Sequence, residues 1–167
     1  MQTDASFTVT VKPLGAPSAL GSSESEYCVL DMHIGSERNA GSASYQERQL
    51  LPKKVEALAG QRVVVVSAGE HHSLALTTDG AVWSWGDGAL GQLGHGDQQN
   101  QLLPKKVETL EGWRVVAVSA GSDHSLALTA DGASFAWGKG ESGCLGHGED
   151  LSNQLLPKKV EAWAPGL

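Results

Sequence analysis

The chain has 167 residues, enough for one ordinary domain, and is rich in glycine (21 residues) with few aromatics beyond its five tryptophans. Its formal net charge of −7 lacks the basic footprint of a direct nucleic-acid binder, and no apolar run approaches the ~20 residues of a membrane span. Met1 to Leu20 shows no basic start and no apolar core of a secretory signal. The two cysteines, Cys28 and Cys144, are too few for a secreted disulfide framework, so an intracellular chain of the cytoplasm or nucleus is expected.

Residues 1–46 come first and carry little packing pattern. Pro13–Ser25 and Gly35–Ser44 are rich in Gly, Ala and Ser, a composition that does not build a core. Phe7–Val11 and Tyr27–Ile34 have strand-like composition. The segment reads as low-complexity and poorly structured, with a degenerate blade as the alternative.

From residue 47 onward the chain repeats itself. Leu51-Pro52-Lys53-Lys54-Val55-Glu56 recurs from Leu103 and again from Leu156, at offsets of 103 − 51 = 52 and 156 − 103 = 53. Aligned without gaps, Leu51–Asp97 and Leu103–Glu149 share 32 of 47 positions, far beyond chance. Units of about 51–102 and 103–155 follow, with a third beginning at 156. In chain order the first unit predicts four strands: Lys53–Leu58, Arg62–Ser67, His72–Thr77 and Ala81–Trp85. In the third, Leu74 and Leu76 alternate with smaller residues at period two. Asp79-Gly80 stands where a hairpin needs positive φ. Gly86–Leu102, with its turn glycines, links one unit to the next. The second unit predicts Lys105–Leu110, Arg114–Ser119, His124–Thr129 and Ala133–Trp137, with Asp131-Gly132 at the turn. Lys158–Trp163 would open a third blade. Four antiparallel strands repeated at about 50 residues are the signature of a propeller blade. The predicted fold class is all-β: a partial β-propeller of two four-stranded antiparallel blades plus the first strand of a third.

The runs Val-Ser-Ala-Gly-x-x-His-Ser-Leu-Ala-Leu-Thr, Asp-Gly-x-x-x-x-Trp-Gly and Leu-Gly-His-Gly each occur twice in order. Together they resemble the repeats of the regulator of chromosome condensation family, over about residues 47–167. The resemblance implies a propeller of about seven blades when complete, of which this chain holds a part. It also implies modules found in small-GTPase regulators and beside the catalytic domains of large ubiquitin ligases.

The repeated positions Gly69, His72, Trp85 and Gly86, with Gly121, His124, Trp137 and Gly138, read as structural. A histidine that returns at the start of each third strand satisfies neighbouring backbone groups. A Trp that returns at each strand end packs between blades. His71 and His72 point to opposite strand faces and converge poorly on a metal, and neither cysteine has zinc-like spacing. No metal and no cofactor are expected. Trp113 has no counterpart and resembles the Gly-Trp-Arg of the plant ultraviolet-B photoreceptor, a relative in this family, but Val115-Val116 follow where that motif continues His-Thr. The Lys-Lys pairs at Lys53, Lys105 and Lys158 read as solubilising residues beside Glu56, Glu108 and Glu161. The loops after each Trp-Gly vary while the strands hardly do, which suits recognition. They offer candidate interaction residues Asp87, Gln92, His95 and Asp97 in the first unit, and Lys139, Glu141, His147 and Glu149 in the second. No nucleophile elbow, phosphate loop or kinase signature appears, so no catalytic residue is assigned. The expected function is a protein-interaction scaffold, a fragment of a larger propeller, whose partner is a small GTPase or a ubiquitin-system protein. Self-association through open blade edges is expected as well. Guanine-nucleotide exchange or a regulatory role in a ubiquitin ligase is the alternative.

Overall fold

The computed structural model describes residues 54–161. Eight strands form two four-stranded antiparallel sheets in simple chain order. The first contains β1 (Val63–Ala68), β2 (His72–Thr77), β3 (Val82–Gly86) and β4 (Gln101–Lys106). The second contains β5 (Val115–Ala120), β6 (His124–Thr129), β7 (Ser134–Gly138) and β8 (Gln154–Lys159). The only helical pieces among the described residues are three 3-10 turns of three residues. This is the all-β, two-blade architecture the repeats predict.

Meandering sheets arise because each connection is local. Thr77 N–H donates to the Ala81 carbonyl, and Gly80 takes φ +86°, a left-handed value that L side chains resist. The Thr77 hydroxyl lies 2.5 Å from Asp79 Oδ1 and 3.0 Å from the Ala81 carbonyl oxygen, which fixes the turn by an Asx-type contact. Thr129, Asp131 and Gly132 (φ +87°) repeat it between β6 and β7.

One part of the strand frame differs from the sequence reading. Leu-Pro-Lys-Lys does not open a blade; it closes the preceding one. Gln101–Lys106 pairs with β3 through Trp83↔Lys106, Ser84↔Lys105 and Gly86↔Gln101. Gln154–Lys159 pairs with β7 in the same register. The predicted strand Lys105–Leu110 therefore breaks after Lys106, and Glu108–Leu110 coils into a 3-10 turn. The predicted strand Lys53–Leu58 likewise contains the 3-10 turn Glu56–Leu58, and Lys53 lies outside the described residues. Of the predicted strand Lys158–Trp163, Lys158 and Lys159 finish β8, and residues 162–167 lie outside the described residues. The physical reason is proline. Pro104 and Pro157 lack an N–H, so their strand belongs at a sheet's outer edge, where no further ladder needs that donor. The expectations for residues 1–46, including Phe7–Val11 and Tyr27–Ile34, fall outside the described residues.

The sheets pack face to face. Leu74, Leu76 and Val82 of the first meet Val107, Leu110, Val115, Ala127, Phe135 and Trp137 in one buried cluster. A smaller cluster of Leu58, Val63, Ala75 and Trp85 lies on the first sheet's other side. The period-two alternation of β2 is thus used on both faces, since its leucines turn toward the second sheet and Ala75 turns away.

Candidate functional site

Two regions gather the residues singled out by the repeats: the seam between the sheets and the loops at one end of them.

The seam is polar at its centre. The Gln92 backbone carbonyl accepts the Trp137 indole N–H at 2.9 Å and the Ser125 hydroxyl at 2.8 Å. Ser125 has one proton, and it is committed to Gln92. His72 Nε2, 2.8 Å from Ser125 Oγ, must therefore be the protonated nitrogen that donates to it. Nδ1 is left as a buried acceptor without a partner. His72 is only 3% exposed, and burial, with His124 nearby, pushes its pKa down to about 4, against an opposing pull from Asp87. Gly69 is required beside it, because a Cβ there would lie 2.5 Å from the His72 ring and 2.4 Å from the Gly121 carbonyl oxygen. Further bonds cross the seam from Ala120 N–H to Ser67 Oγ (2.9 Å) and from Ser122 Oγ to Glu70 Oε2 (2.6 Å). His72, Trp137, Gly69 and Gly121 thus hold one blade to the next. Trp85 occupies the corresponding place on the first sheet's outer side, fully buried, with its Nε1 unpaired. Gly86 and Gly138 sit where their strands end, and a Cβ on either would strike the His71 or Asp123 carbonyl oxygen at 2.5 or 2.6 Å.

The loop end is built from the β1–β2 and β5–β6 turns with the long β3–β4 and β7–β8 connections. Each long loop is clamped alike: Gly88 N–H donates to Asn100 Oδ1 at 2.9 Å, and Gly140 N–H to Asn153 Oδ1 at 3.1 Å. His95 Nε2 lies 3.0 Å from Ser84 Oγ, and His147 Nε2 donates to the Ala136 carbonyl at 3.2 Å. These imidazoles tie the loops back to β3 and β7. Burial lowers the His95 pKa, and Lys105 adds to the shift. Asp87 Oδ1 accepts Ala89 N–H, and Asp97 Oδ1 accepts Gln99 N–H, so each carboxylate folds its own loop while remaining partly exposed. Lys139 pairs with Glu141 at 3.1 Å, and Glu149 is exposed. Gln92 is the exception among the candidate loop residues. It is fully buried, and its Oε1 accepts Leu90 N–H, so it faces the neighbouring blade and no outside partner. The turns and long loops that form this end contain Glu70, Asp87, Asp97, Asp123, Glu141, Glu149 and Asp150 and one lysine, Lys139. Asp150 is partly answered by Lys158 at 2.7 Å, which with Ser152 holds its carboxyl well below the usual range.

Three lysines of the Lys-Lys pairs make side-chain contacts. Lys106 pairs with Glu111 at 3.1 Å, and Lys158 with Asp150. Lys159 lies 5.9 Å above the Trp113 ring, which packs edge-on against Phe135. No cluster of three or more His, Cys, Asp or Glu able to hold a metal occurs among the described residues. No helix among them is long and apolar enough to cross a membrane.

Repeating blades, a histidine at the same strand position in each unit and the Leu-Gly-His-Gly loops agree with a known repeat. The profile of the regulator of chromosome condensation (RCC1) repeat matches residues 34–76, 79–128 and 131–164. The chain belongs to the RCC1 repeat family. A second profile of the same repeat matches residues 63–92 and 115–144. Among RCC1-repeat relatives, the human E3 ubiquitin-protein ligase HERC2 is 50% identical over 120 residues, 71% of this chain but 2% of that protein. The ultraviolet-B receptor UVR8 of Arabidopsis thaliana is 42% identical over 109 residues, 65% of this chain and 24% of the receptor. Prp20p of Saccharomyces cerevisiae, solved in a study of its binding to Gsp1p and histones, superposes with a TM-score of 0.61 at 28% identity. The match covers 68% of this chain and 29% of Prp20p. Human WBSCR16 gives 0.58 at 33% identity, covering 75% of this chain and 30% of that one. The RCC1 chain thus spans a small part of each of these proteins. Family and fold together support a propeller-type protein-interaction module.

Proposed function

We propose that the chain is a binding scaffold without catalytic activity of its own, and that the loop end of the two blades is its recognition surface. One observation carries this reading. Strands β2 and β4 are identical in sequence to β6 and β8, whereas the loops on that common frame differ in charge: Asp87 becomes Lys139, and Ala89 becomes Glu141. Charge differences in exposed loops on a shared frame are what recognition needs. The acidic balance of this end favours a partner with a basic contact surface, steered by the field of the loops. The paired Lys139–Glu141 and Lys158–Asp150 charges shape that surface. Within this reading the partner is a protein of the small-GTPase or ubiquitin systems, the chain works in the cytoplasm or nucleus, and no cofactor is needed.

Guanine-nucleotide exchange is the second reading, supported by the likeness to Prp20p, whose solved study concerns Gsp1p. Affinity capture with the immobilised chain, beside a nucleotide-exchange assay on a Ran-type small GTPase, separates the two. A scaffold retains partners and leaves exchange at its basal rate. Acceleration of exchange at catalytic amounts of the chain would replace the first reading with the second. Retained partners should disappear when Lys139, Glu141 and Glu149 are changed to Ala together, with the thermal melt unchanged.

A further inference from the structure

The two long loops share their clamps and differ at their tips. Asp97 Oδ1 accepts Gln99 N–H at 3.0 Å, and Asp150 Oδ1 accepts Ser152 N–H at 3.1 Å, so Gln98 and Leu151 occupy the same place. Gln98 folds back and donates from Nε2 to the Ala89 carbonyl at 2.8 Å. Leu151 has no such bond to make. It is 55% exposed, the one large apolar side chain of either long loop left so open. Gln98 is exposed too, although the second sheet lies beside its loop, so outward presentation belongs to this loop position.

The loop that carries Leu151 is also braced where the first is not. Asp150 accepts Lys158 Nζ at 2.7 Å, the Ser152 hydroxyl at 2.5 Å and Gln154 Nε2 at 3.1 Å. Lys158 and Gln154 belong to β8, so these bonds tie the loop to its own sheet. Their counterparts Lys105 and Gln101 make no hydrogen bond or ion pair to Asp97. Acids flank the leucine. Glu149 is exposed. An added Cβ on Gly143 would lie 3.9 Å from Leu151 Cδ2, which sets the leucine beside the turn of Glu141, whose carboxylate pairs with Lys139.

We propose that Leu151 is the apolar anchor of the loop-end surface, and that it enters an apolar pocket of the protein partner whose rim carries basic side chains. This rests on the reading of that end as the recognition surface. An apolar contact ringed by charged groups is the arrangement in which a single side chain carries much of a binding energy, because the ring excludes water. Glu149 and Glu141 supply the acidic half of the ring, and cations on the partner complete it. The brace matters because a loop already held in place loses little freedom on binding. Asp150 and Lys158 are thus positioning residues that act through Leu151.

Affinity capture with the immobilised full chain tests the proposal, the probe being those proteins of a cell extract that a cation exchanger retains. Proteins held by the wild type should also bind Leu151→Met, whose side chain fills a similar volume. Leu151→Asp should lose them by about tenfold or more, the cost of leaving an apolar pocket unfilled. Capture by charge alone would rise in Leu151→Asp, which is the more acidic chain, so this loss cannot be electrostatic. Lys158→Met should weaken retention by loosening the brace, and Lys158→Arg, which keeps a donor for Asp150, should restore it; thermal melts check that each variant is folded. Wild-type partners that bind Leu151→Asp undiminished would overturn the anchor and leave the loop-end reading standing, as would Lys158→Met retaining them like the wild type. A wild type that holds no protein specifically would overturn both.

Discussion

His72 and Ser125 show how much one proton decides. The Ser125 hydrogen is held by Gln92, so the His72 ring must be the Nε2–H tautomer and its Nδ1 must stay bare. A second proton would place a buried N–H without an acceptor and a charge without a counter-ion beside His124 and His71. The folded pKa of about 4 lies below the ordinary 6.5, so below pH 6.5 the unfolded chain binds the proton more readily. Stability from this group is therefore whole at neutral pH and is lost as pH falls from about 6.5 to 4, by about 3 kcal/mol in all. Urea titrations across that range should show the loss, and His72→Gln should flatten the curve; an unchanged slope in the variant would assign the effect elsewhere. Ser125→Ala removes a donor from the Gln92 carbonyl and strands the His72 N–H. It should cost about 1–3 kcal/mol, whereas the counterpart Ser73→Ala, with no such bond across a seam, should cost less. Equal losses at the two sites would argue against the bridge.

At the scale of elements, the last three strands predicted in each unit were legible, and the bounds and grouping of the Leu-Pro-Lys-Lys strand were not. Period-two alternation at Leu74 and Leu76 and the Asp-Gly turns mark β2 and β3 directly, because those signals are local. The place of Leu-Pro-Lys-Lys is not local. In a tandem repeat every frame of one period contains the same motifs, so only pairing tells whether a strand opens one blade or closes another. Pro104 and Pro157 held the answer, since each marks an outer edge. The long loops were legible as glycine-rich connections, but the burial of Gln92 was not, because it depends on a neighbouring blade 33 residues away at Ser125. The same dependence gives a paired test. Gly91 and Gly143 both have positive φ, +83° and +72°, so Ala at either pays a similar backbone cost. Only Gly91→Ala also drives a Cβ into Leu155. It should destabilise the chain by about 1–3 kcal/mol more than Gly143→Ala in denaturant titrations. Matching values would mean that the loop does not approach β8 closely.

At the scale of the whole molecule, the candidate surface exists only if the two blades move as one body. The acidic loops come from both sheets, and their relative placement is set by the apolar cluster of Leu74, Leu76, Val115 and Trp137 with the polar bridge at Gln92. Repeat arrays derive much of their stability from such nearest-neighbour seams, so neither sheet should outlast the other. Sequence alone marked the loops as variable and the Trp as packing; it did not show that His95 and His147 are spent on anchoring, which leaves the carboxylates and Lys139 to meet a partner. Native-state hydrogen exchange of the β2 and β6 amides is the most direct measurement of this account. The two strands should exchange through one opening of equal free energy, and Ser125→Ala should lower protection in both by the same amount. Exchange of β6 through its own opening while β2 stays protected would contradict a single frame carrying a single recognition surface.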